Sequence, residues 1–187
     1  EAGPVDTRIQ PSASSDVYKR PGGHMHIEGG KPRVLDTGML RGHADVSPTV
    51  GYGGSLNAKN TDLFMARCHI EDNSSTRAGG SISLKRSIAH IEQSSVYSGT
   101  STDGGGLFCI DTNLRLLGVV FKDNVASNDG GGLYTAGTGD VFVEQCHLVS
   151  NETHRNGAGM CVRMKRGRHE VIQSVFEQNF AGYSGAG

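Results

Sequence analysis

The sequence predicts a right-handed, three-faced parallel β-helix with about 26 residues per coil. Three observations lead to this fold class. A glycine cluster recurs at a nearly constant spacing, an apolar-x-x-Asn marker keeps the same phase, and apolar residues between the markers alternate with period two. No segment spaces its apolar residues by three and four over the roughly ten positions that a helix needs.

The glycine cluster is the first marker of the repeat. Its copies begin at Gly53, Gly79, Gly104, Gly130 and Gly157, and Gly185 opens another. The spacings are 26, 25, 26, 27 and 28 residues. Stacked tight turns leave no room for a Cβ atom and need backbone angles that glycine adopts cheaply, so one such turn is expected in each coil.

The second marker predicts two columns along the helix. We expect its asparagines to form a hydrogen-bonded ladder of Asn73, Asn124, Asn151 and Asn179. We expect its apolar residues to form one interior column of Ile70, Val96, Phe121, Leu148 and Phe176. The Val96 coil departs from the pattern, because Gly99 stands where asparagine is expected. The alternative is that asparagine occupies these turns only because it tolerates left-handed backbone angles.

Each coil offers three short strands with alternating apolar residues. The third coil shows the pattern: Leu107 with Cys109, Leu114 with Leu116, and Val119 with Phe121. Inward side chains of successive coils then stack as columns of like residues, burying a core that no single coil can bury alone.

The ends of the chain are expected to differ from its middle. Residues 1–21 contain Pro4, Pro11 and Pro21 and read as an extended arm or linker. The β-helix is assigned to residues 22–187, with regular coils from about residue 53 and an insertion within 42–52. Its C-terminal coil is expected to be open, which indicates either a segment of a larger protein or an end that stacks on another subunit.

The composition of the chain argues against two classes of partner, nucleic acid and the membrane interior. The formal net charge is −1, from 18 basic and 19 acidic residues, so no overall field attracts nucleic acid. No apolar stretch approaches the roughly 18 residues of a membrane span, and no cofactor motif is present. The open C-terminal coil predicts the chain itself or a neighbouring subunit as a partner, and glycans are a further candidate.

The repeat resembles that of the polymorphic outer-membrane proteins of chlamydiae. The resemblance is carried by Phe121-Lys122-Asp123-Asn124 and Phe176-Glu177-Gln178-Asn179, each paired with its glycine cluster, and covers roughly residues 53–187. It implies a β-helical surface adhesin, in an extracellular or cell-surface location. The chain departs from the family in having Ser or Gly after the two glycines where the family usually has Ala.

Enzymatic chemistry is the competing interpretation, because pectate-lyase-like enzymes share this fold class. The strongest candidates are Asp103 and Asp129, which share a phase just before the glycine cluster. Stacked about 4.8 Å apart, they have the chemistry of an acid and nucleophile pair or of a Ca²⁺ site. Aspartate also favours turns for purely structural reasons, and we expect that role here, with no catalytic residue assigned.

Histidine and cysteine residues are the candidates for metal and thiol chemistry. His24 and His26 face one side of a strand and are weak candidates for a zinc site, and no metal site is assigned. The basic run of residues 163–169 is read as a solvated loop. Cys68, Cys109 and Cys146 are expected inside and Cys161 outside, too far apart for any disulfide, with an intermolecular bond through Cys161 left open.

Two sequons fall on the asparagine ladder, Asn73-Ser74-Ser75 and Asn151-Glu152-Thr153. They make Asn73 and Asn151 candidates for N-glycosylation, in which case both would have to leave the ladder.

Two functions follow from these features. The first is a non-enzymatic extracellular or cell-surface structural or adhesive protein, as part of a larger protein or of a head-to-tail filament. The alternative is a carbohydrate-active enzyme, a polysaccharide lyase or glycoside hydrolase of the pectate-lyase-like type.

Overall fold

The chain folds as a parallel β-solenoid. The structure is a computed structural model that describes residues 9–10, 16–20, 23–44 and 51–185, with side chains described from residue 25 onward. Within these ranges every regular element is a strand, and the strands form six coils of about 27 residues. The predicted all-β solenoid is confirmed.

The 26 strands divide into a short arm and six coils. The arm contributes β1 (Ile9–Gln10) and β2 (Asp16–Arg20). The first coil contains β3 (Gly23–Glu28), β4 (Arg33–Leu35), β5 (Gly38–Leu40) and β6 (His43–Ala44). The second contains β7 (Leu56–Lys59), β8 (Asp62–Ala66), β9 (His69–Glu71) and β10 (Ser74–Ser75). The third contains β11 (Ile82–Lys85), β12 (Ile88–Glu92), β13 (Ser95–Tyr97) and β14 (Thr100–Ser101).

The remaining coils repeat this order. The fourth contains β15 (Leu107–Ile110), β16 (Asn113–Leu117), β17 (Val120–Lys122) and β18 (Val125–Ala126). The fifth contains β19 (Leu133–Thr138), β20 (Val141–Glu144), β21 (His147–Val149) and β22 (Glu152–Thr153). The sixth contains β23 (Met160–Arg166), β24 (His169–Ile172), β25 (Val175–Glu177) and β26 (Phe180–Ala181).

Each coil therefore has a fourth strand that the sequence pattern did not predict. It is two residues long, directly follows the asparagine turn, and forms a six-stranded parallel sheet of its own. Two residues are too few to show a period-two alternation, which explains why the pattern of apolar residues gave no sign of it.

The arm is paired with the first coil. Strand β1 runs antiparallel to β4, and β2 runs antiparallel to β3, with Val17 opposite Ile27. The segment predicted as an arm or linker thus supplies the outermost strand of two of the four sheets.

The longer first coil is explained by pairing offsets. The offset between partners is 31 residues at Ala44–Ser75 and 26 at Tyr52–Ala78. The extra residues therefore lie between Ala44 and Tyr52, within the range in which the insertion was expected, and residues 45–50 are outside the described part.

The interior is a continuous apolar core of stacked columns. The predicted column runs in register from Ile70 through Val96, Phe121 and Leu148 to Phe176. Its first four members are fully buried, whereas Phe176, in the sixth coil, is partly exposed.

The glycine turns are packed backbone to backbone. A Cβ atom at Gly131 would lie 2.5 Å from the Glu152 carbonyl oxygen and 2.7 Å from the Ala158 carbonyl oxygen. Both distances are far below van der Waals contact, so any larger residue would force neighbouring coils apart.

The other corners use residues with left-handed backbone angles. Between the second and third strands these positions have φ of 46° to 62° and are occupied by Asp36, Arg67, Gln93, Gly118, Gln145 and Gln173. The five side chains are exposed, and some bond along the column, as Arg67 does to Asp36 and Gln145 to Gln173, which explains why polar residues of varied size occupy these positions. The strain of each left-handed residue is offset by hydrogen bonds between coils, such as Arg67 N to Glu92 O at 3.2 Å.

One core position carries a hydroxyl group without a partner. Thr135 is completely buried, and its Oγ1 has no hydrogen-bond partner among the described residues. We expect Thr135→Val to increase the free energy of unfolding by about 1 kcal/mol, because valine keeps the shape and removes the unsatisfied group. Denaturant-induced unfolding measures this change.

Thr153→Val is the matched control. Thr153 is equally buried, but its Oγ1 donates a hydrogen bond to the Asn128 carbonyl oxygen. The same substitution is expected to lower stability there by about 1–2 kcal/mol. A loss of stability in Thr135→Val would show that its hydroxyl has a partner after all.

Candidate functional site

The asparagine turn forms a buried polar ladder in the last three coils. Asn124 Nδ2 donates to Asn151 Oδ1 at 3.0 Å, and Asn151 Nδ2 donates to Asn179 Oδ1 at 3.0 Å. Each amide oxygen also accepts the backbone N–H of the preceding asparagine, at 3.2 Å for Asn124 and 3.0 Å for Asn151. The second amide hydrogen bonds a main-chain carbonyl, as from Asn151 Nδ2 to Phe121 O at 3.0 Å. Each side chain therefore ties three coils together.

The ladder is interrupted where glycine replaces asparagine. Gly99 N donates to Asn124 Oδ1 at 2.9 Å, and Gly42 N donates to Asn73 Oδ1 at 2.7 Å, so each glycine keeps the main-chain donor of the pattern and lacks only the side-chain amide. Asn73 instead gives its amide hydrogens to the carbonyl oxygens of Met39 at 3.0 Å and Glu71 at 2.9 Å. Asn73 therefore occupies the ladder position without a side-chain partner in the following coil.

Both sequons are inaccessible in the folded chain. Asn73 and Asn151 are 1% and 0% exposed, and the Nδ2 atom of each already donates two hydrogen bonds. An N-linked glycan attaches to that same nitrogen. The candidate glycosylation of Asn73 and Asn151 therefore does not fit the folded coil, because it would require each side chain to leave the interior.

We expect Asn151→Ala to lower the free energy of unfolding by about 3 kcal/mol. The substitution removes two donated hydrogen bonds and leaves the buried Asn124 N–H without its acceptor. Asn179→Ala is the control, because Asn179 has the same role at a more exposed position and loses one donated bond. Equal losses in the two variants, measured by urea unfolding, would contradict a cooperative ladder.

A second polar ladder lies at the turn before the glycine cluster, and the sequence analysis identified only half of it. Asp103 Oδ1 accepts the Asp129 N–H at 3.2 Å. Asp129 Oδ1 accepts both the Asn156 N–H at 3.1 Å and Asn156 Nδ2 at 2.8 Å, and Ser184 Oγ donates to Asn156 Oδ1 at 2.9 Å. The shared phase of Asp103 and Asp129 was the available signal. Asn156 and Ser184 escaped notice because the side-chain type changes along the column.

The two carboxylates differ in their surroundings. Asp129 is 3% exposed, and its Oδ2 lies 2.8 Å from Arg163 NH2, so both of its oxygens are engaged. Burial, and the negative charge of Asp129, raise the pKa of Asp103. These contacts hold the turn together and leave no oxygen of Asp129 free to bind a cation.

We expect Asp103→Asn to raise the melting temperature at pH 7. The raised pKa means that the ionised carboxyl destabilises the fold above that pKa and that this cost disappears as the pH falls through it. The advantage of the variant should therefore shrink as the pH approaches 3, as followed by thermal unfolding at both pH values. Asp123→Asn, at an exposed corner, should show no such difference. A variant less stable than the parent at pH 7 would refute the assignment.

The outer face beside this ladder is covered by aromatic side chains. The Phe108 and Tyr134 rings stack with centroids 5.3 Å apart and planes at 4°, and Tyr52 approaches Phe108 at 6.2 Å. Cys161 continues the same outward column but is buried, and burial raises the pKa of its thiol. Its burial disfavours the intermolecular bond that the sequence analysis left open.

The remaining cysteines are free and buried. Cys68, Cys109 and Cys146 lie in the core, and burial raises the pKa of each thiol. They behave as small apolar residues that are poorly reactive because the thiolate form is disfavoured.

The histidine candidates are placed on the first strand of the first coil. His24 and His26 both lie in β3, and the side chain of His24 is outside the described part. Within the described residues, no group of three or more His, Cys, Asp and Glu is arranged to hold a metal ion.

A histidine missed by the sequence analysis forms a polar trio on the third sheet. His69 Nδ1 lies 2.7 Å from Ser95 Oγ, and its Nε2 lies 2.9 Å from Glu71 Oε2. The connectivity is that of a nucleophile, base and carboxylate, but the trio lies on an open strand face. The surrounding main-chain N–H groups are committed to the sheet, as Ser95 N is to Cys68 O at 2.9 Å. The trio thus lacks the free donors that stabilise an oxyanion in acyl transfer.

The sixth coil carries the apolar edge of the solenoid. Val143 in the fifth coil is 1% exposed, whereas Val171, the next residue in the same inward column, is 51% exposed. The other exposed large apolar residues of this coil are Val162, Ile172, Val175, Phe180 and Tyr183. Among the described residues no strand pairs with the outer edges of β23, β24, β25 and β26. These residues and strand edges are called the terminal edge below.

The fold and its ladders define the class of protein: a parallel β-helix of stacked glycine–asparagine coils. The model of the Chlamydia polymorphic membrane protein repeat matches residues 118–136, which run from the third strand of the fourth coil to the first strand of the fifth. No curated protein and no solved structure matches the chain.

The chain is thus a β-helix of repeated coils, and its residues 118–136 are similar to the polymorphic membrane protein repeat. The described residues contain no helix long and apolar enough to cross a membrane.

Proposed function

We propose that the chain is a non-enzymatic structural and adhesive β-helix at the cell surface, joined to a further coil through the terminal edge. The further coil comes from the same polypeptide or from a neighbouring subunit. The observation that carries the proposal is the uninterrupted stack of six coils, within which residues 118–136 match the polymorphic membrane protein repeat. Exposed strand edges with apolar side chains pair readily with further strands.

The polar groups of the outer face support a structural role over catalysis. The Asp103 and Asp129 carboxylates are bound by main-chain N–H groups of the next coil, and Asp129 is also paired with Arg163. A lyase or glycosidase needs carboxyl groups that converge on a substrate. Here the two carboxylates bind groups of the neighbouring coil and hold one coil to the next.

The continuous core supports a rigid shape. Main-chain hydrogen bonds run through all four sheets from the first coil to the sixth, and the apolar core follows the three sheets of longer strands. A rod of this kind presents long, flat outer faces, which suit contact with glycans or with another surface protein.

We expect Val171→Lys to weaken self-association of the chain at least tenfold. A lysine at this position places a charge in the core column that a stacked coil would cover, and burying an unpaired charge costs several kcal/mol. Sedimentation velocity over a range of protein concentrations measures the association.

Ile88→Lys is the matched control, because Ile88 is similarly exposed at 53% but lies on the outer face of β12. Its association is expected to equal that of the parent chain. Equal association in all three proteins, or none at high concentration, would contradict joining to a neighbouring subunit through the terminal edge.

A further inference from the structure

We infer that a polar groove on the outside of the solenoid binds a neutral oligosaccharide. The inference rests on the proposed function, because it gives the adhesive surface a site and a ligand class. The groove follows the corner between the first and second strands of coils one to four, and its volume is about 650 Å³. Ligand sites in proteins range over roughly 300–1,000 Å³. It is called the corner groove below, and its polar lining includes Lys31, Asn60, Asp62, Arg86, Asp111 and Asn113.

Two outward columns of side chains form the corner groove. The first contains the left-handed corner residues Asn60, Arg86 and Asp111, with φ of 53°, 49° and 50°. The second contains Asp62, Ile88 and Asn113, which are partners in register at the start of the second strands. Between the columns lie the buried hydroxyl groups of Thr61 and Ser87, 3.3 Å apart, which form the floor. Since neighbouring coils are about 4.8 Å apart, the groove is about 14 Å long.

The corner groove presents polar groups that the fold leaves unused. Among the described residues, the Arg86 guanidinium has no hydrogen-bond or ion-pair partner, and neither does the Nδ2 atom of Asn113. Asp111 Oδ1 accepts the Thr138 N–H at 3.1 Å, which leaves the Oδ2 atom available to a ligand. The groove therefore offers both hydrogen-bond donors and acceptors.

The charges of the corner groove favour a neutral ligand. Lys31 and Arg86 are cationic, Asp62 and Asp111 are anionic, and Lys31 Nζ lies 3.3 Å from Asp62 Oδ2. A sulfated or acidic saccharide gains no net attraction from this balance of charge. A sugar hydroxyl both donates and accepts hydrogen bonds, so a neutral oligosaccharide can use the free donors and acceptors together.

Ile88 supplies an apolar surface in the middle of the corner groove. Its side chain is 53% exposed and lies between Asp62 of the preceding coil and Asn113 of the following coil. A pyranose ring has polar edges and a face of C–H groups, and that face can cover an exposed aliphatic side chain. Covering Ile88 removes apolar surface from water and contributes favourably to binding.

The main chain at this corner argues against an added peptide strand. Asn60 N donates to Lys85 O at 3.0 Å, and Arg86 N donates to Ile110 O at 2.9 Å. A peptide that binds by strand addition needs free main-chain groups at a sheet edge. Because these donors are already bonded between coils, recognition in the groove depends on side chains.

A longer turn closes one end of the corner groove. Residues 137–140 form the turn between the first and second strands of the fifth coil, and this turn is one residue longer than its counterpart in the fourth coil. The N–H and Oγ1 of Thr138 donate to Asp111 Oδ1 at 3.1 and 3.3 Å, so the turn is fixed against the groove. The groove is therefore bounded at the fifth coil, whereas the outer strand faces continue along the rod.

The test measures binding of the full chain to immobilised neutral, uronic-acid-containing and sulfated oligosaccharides. We expect the strongest binding to a neutral member, whose dissociation constant is then measured by isothermal titration calorimetry. Arg86→Ala and Ile88→Lys should each raise this constant at least about tenfold. The first substitution removes the unused guanidinium, and the second replaces the apolar surface with a charge.

Arg67→Ala is the matched control for Arg86→Ala. Arg67 is also an exposed corner residue, with φ of 53° against 49°, but it lies at the corner between the second and third strands. Its dissociation constant should equal that of the parent chain. Far-UV circular dichroism checks that all variants are folded.

The outcomes separate this inference from the proposed function. Val171→Lys should weaken self-association and leave oligosaccharide binding unchanged, whereas Ile88→Lys should do the reverse. Stronger binding to a sulfated or acidic member overturns the ligand class, and equal binding by Arg86→Ala and the parent overturns the site. If no neutral member binds, the inference fails, while the effect of Val171→Lys on association still tests the terminal edge.

Discussion

Parallel pairing of each coil with the next is the constraint on which the rest of the structure depends. The strands of one coil find almost all their main-chain partners in the coils above and below, with offsets of 25 to 28 residues through the regular part. This pairing fixes which side chains stack. It also determines the chemistry of every column, because the main neighbours of each side chain are the residues at the equivalent position in the adjacent coils.

The fold could be predicted because each periodic position accepts few residue types. Glycine at positions such as Gly131 is required by carbonyl oxygens closer than a Cβ atom allows, so the spacing survives in the sequence. The interior column from Ile70 to Phe176 could also be predicted from the sequence, because neighbouring residues enclose each member and only apolar side chains fit there. The two-residue fourth strand was not predictable, because its side chains show no alternation and its strand character comes entirely from pairing.

The polar features were predicted unevenly. The asparagine positions could be read from one repeated residue type. The second ladder uses Asp103, Asp129, Asn156 and Ser184, whose common property is a side-chain acceptor close to the main chain. The trio of His69, Ser95 and Glu71 follows the register that pairs Ile70 with Val96, but its hydrogen bonds depend on side-chain conformations that the sequence does not reveal. The pairing of the N-terminal arm with the first coil depends on contacts beyond the repeat.

The gap in the asparagine ladder at Gly99 has a mechanical consequence. In a solenoid each coil is held only by its neighbours, so the solenoid first comes apart at the weakest boundary between two coils. Between Asn73 and Gly99 no amide passes from one layer to the next, whereas Asn124, Asn151 and Asn179 are joined without a break. Under tension along the axis the rod should therefore come apart between its second and third coils, and the four coils beyond, which Asn124, Asn151 and Asn179 link, should separate as one block.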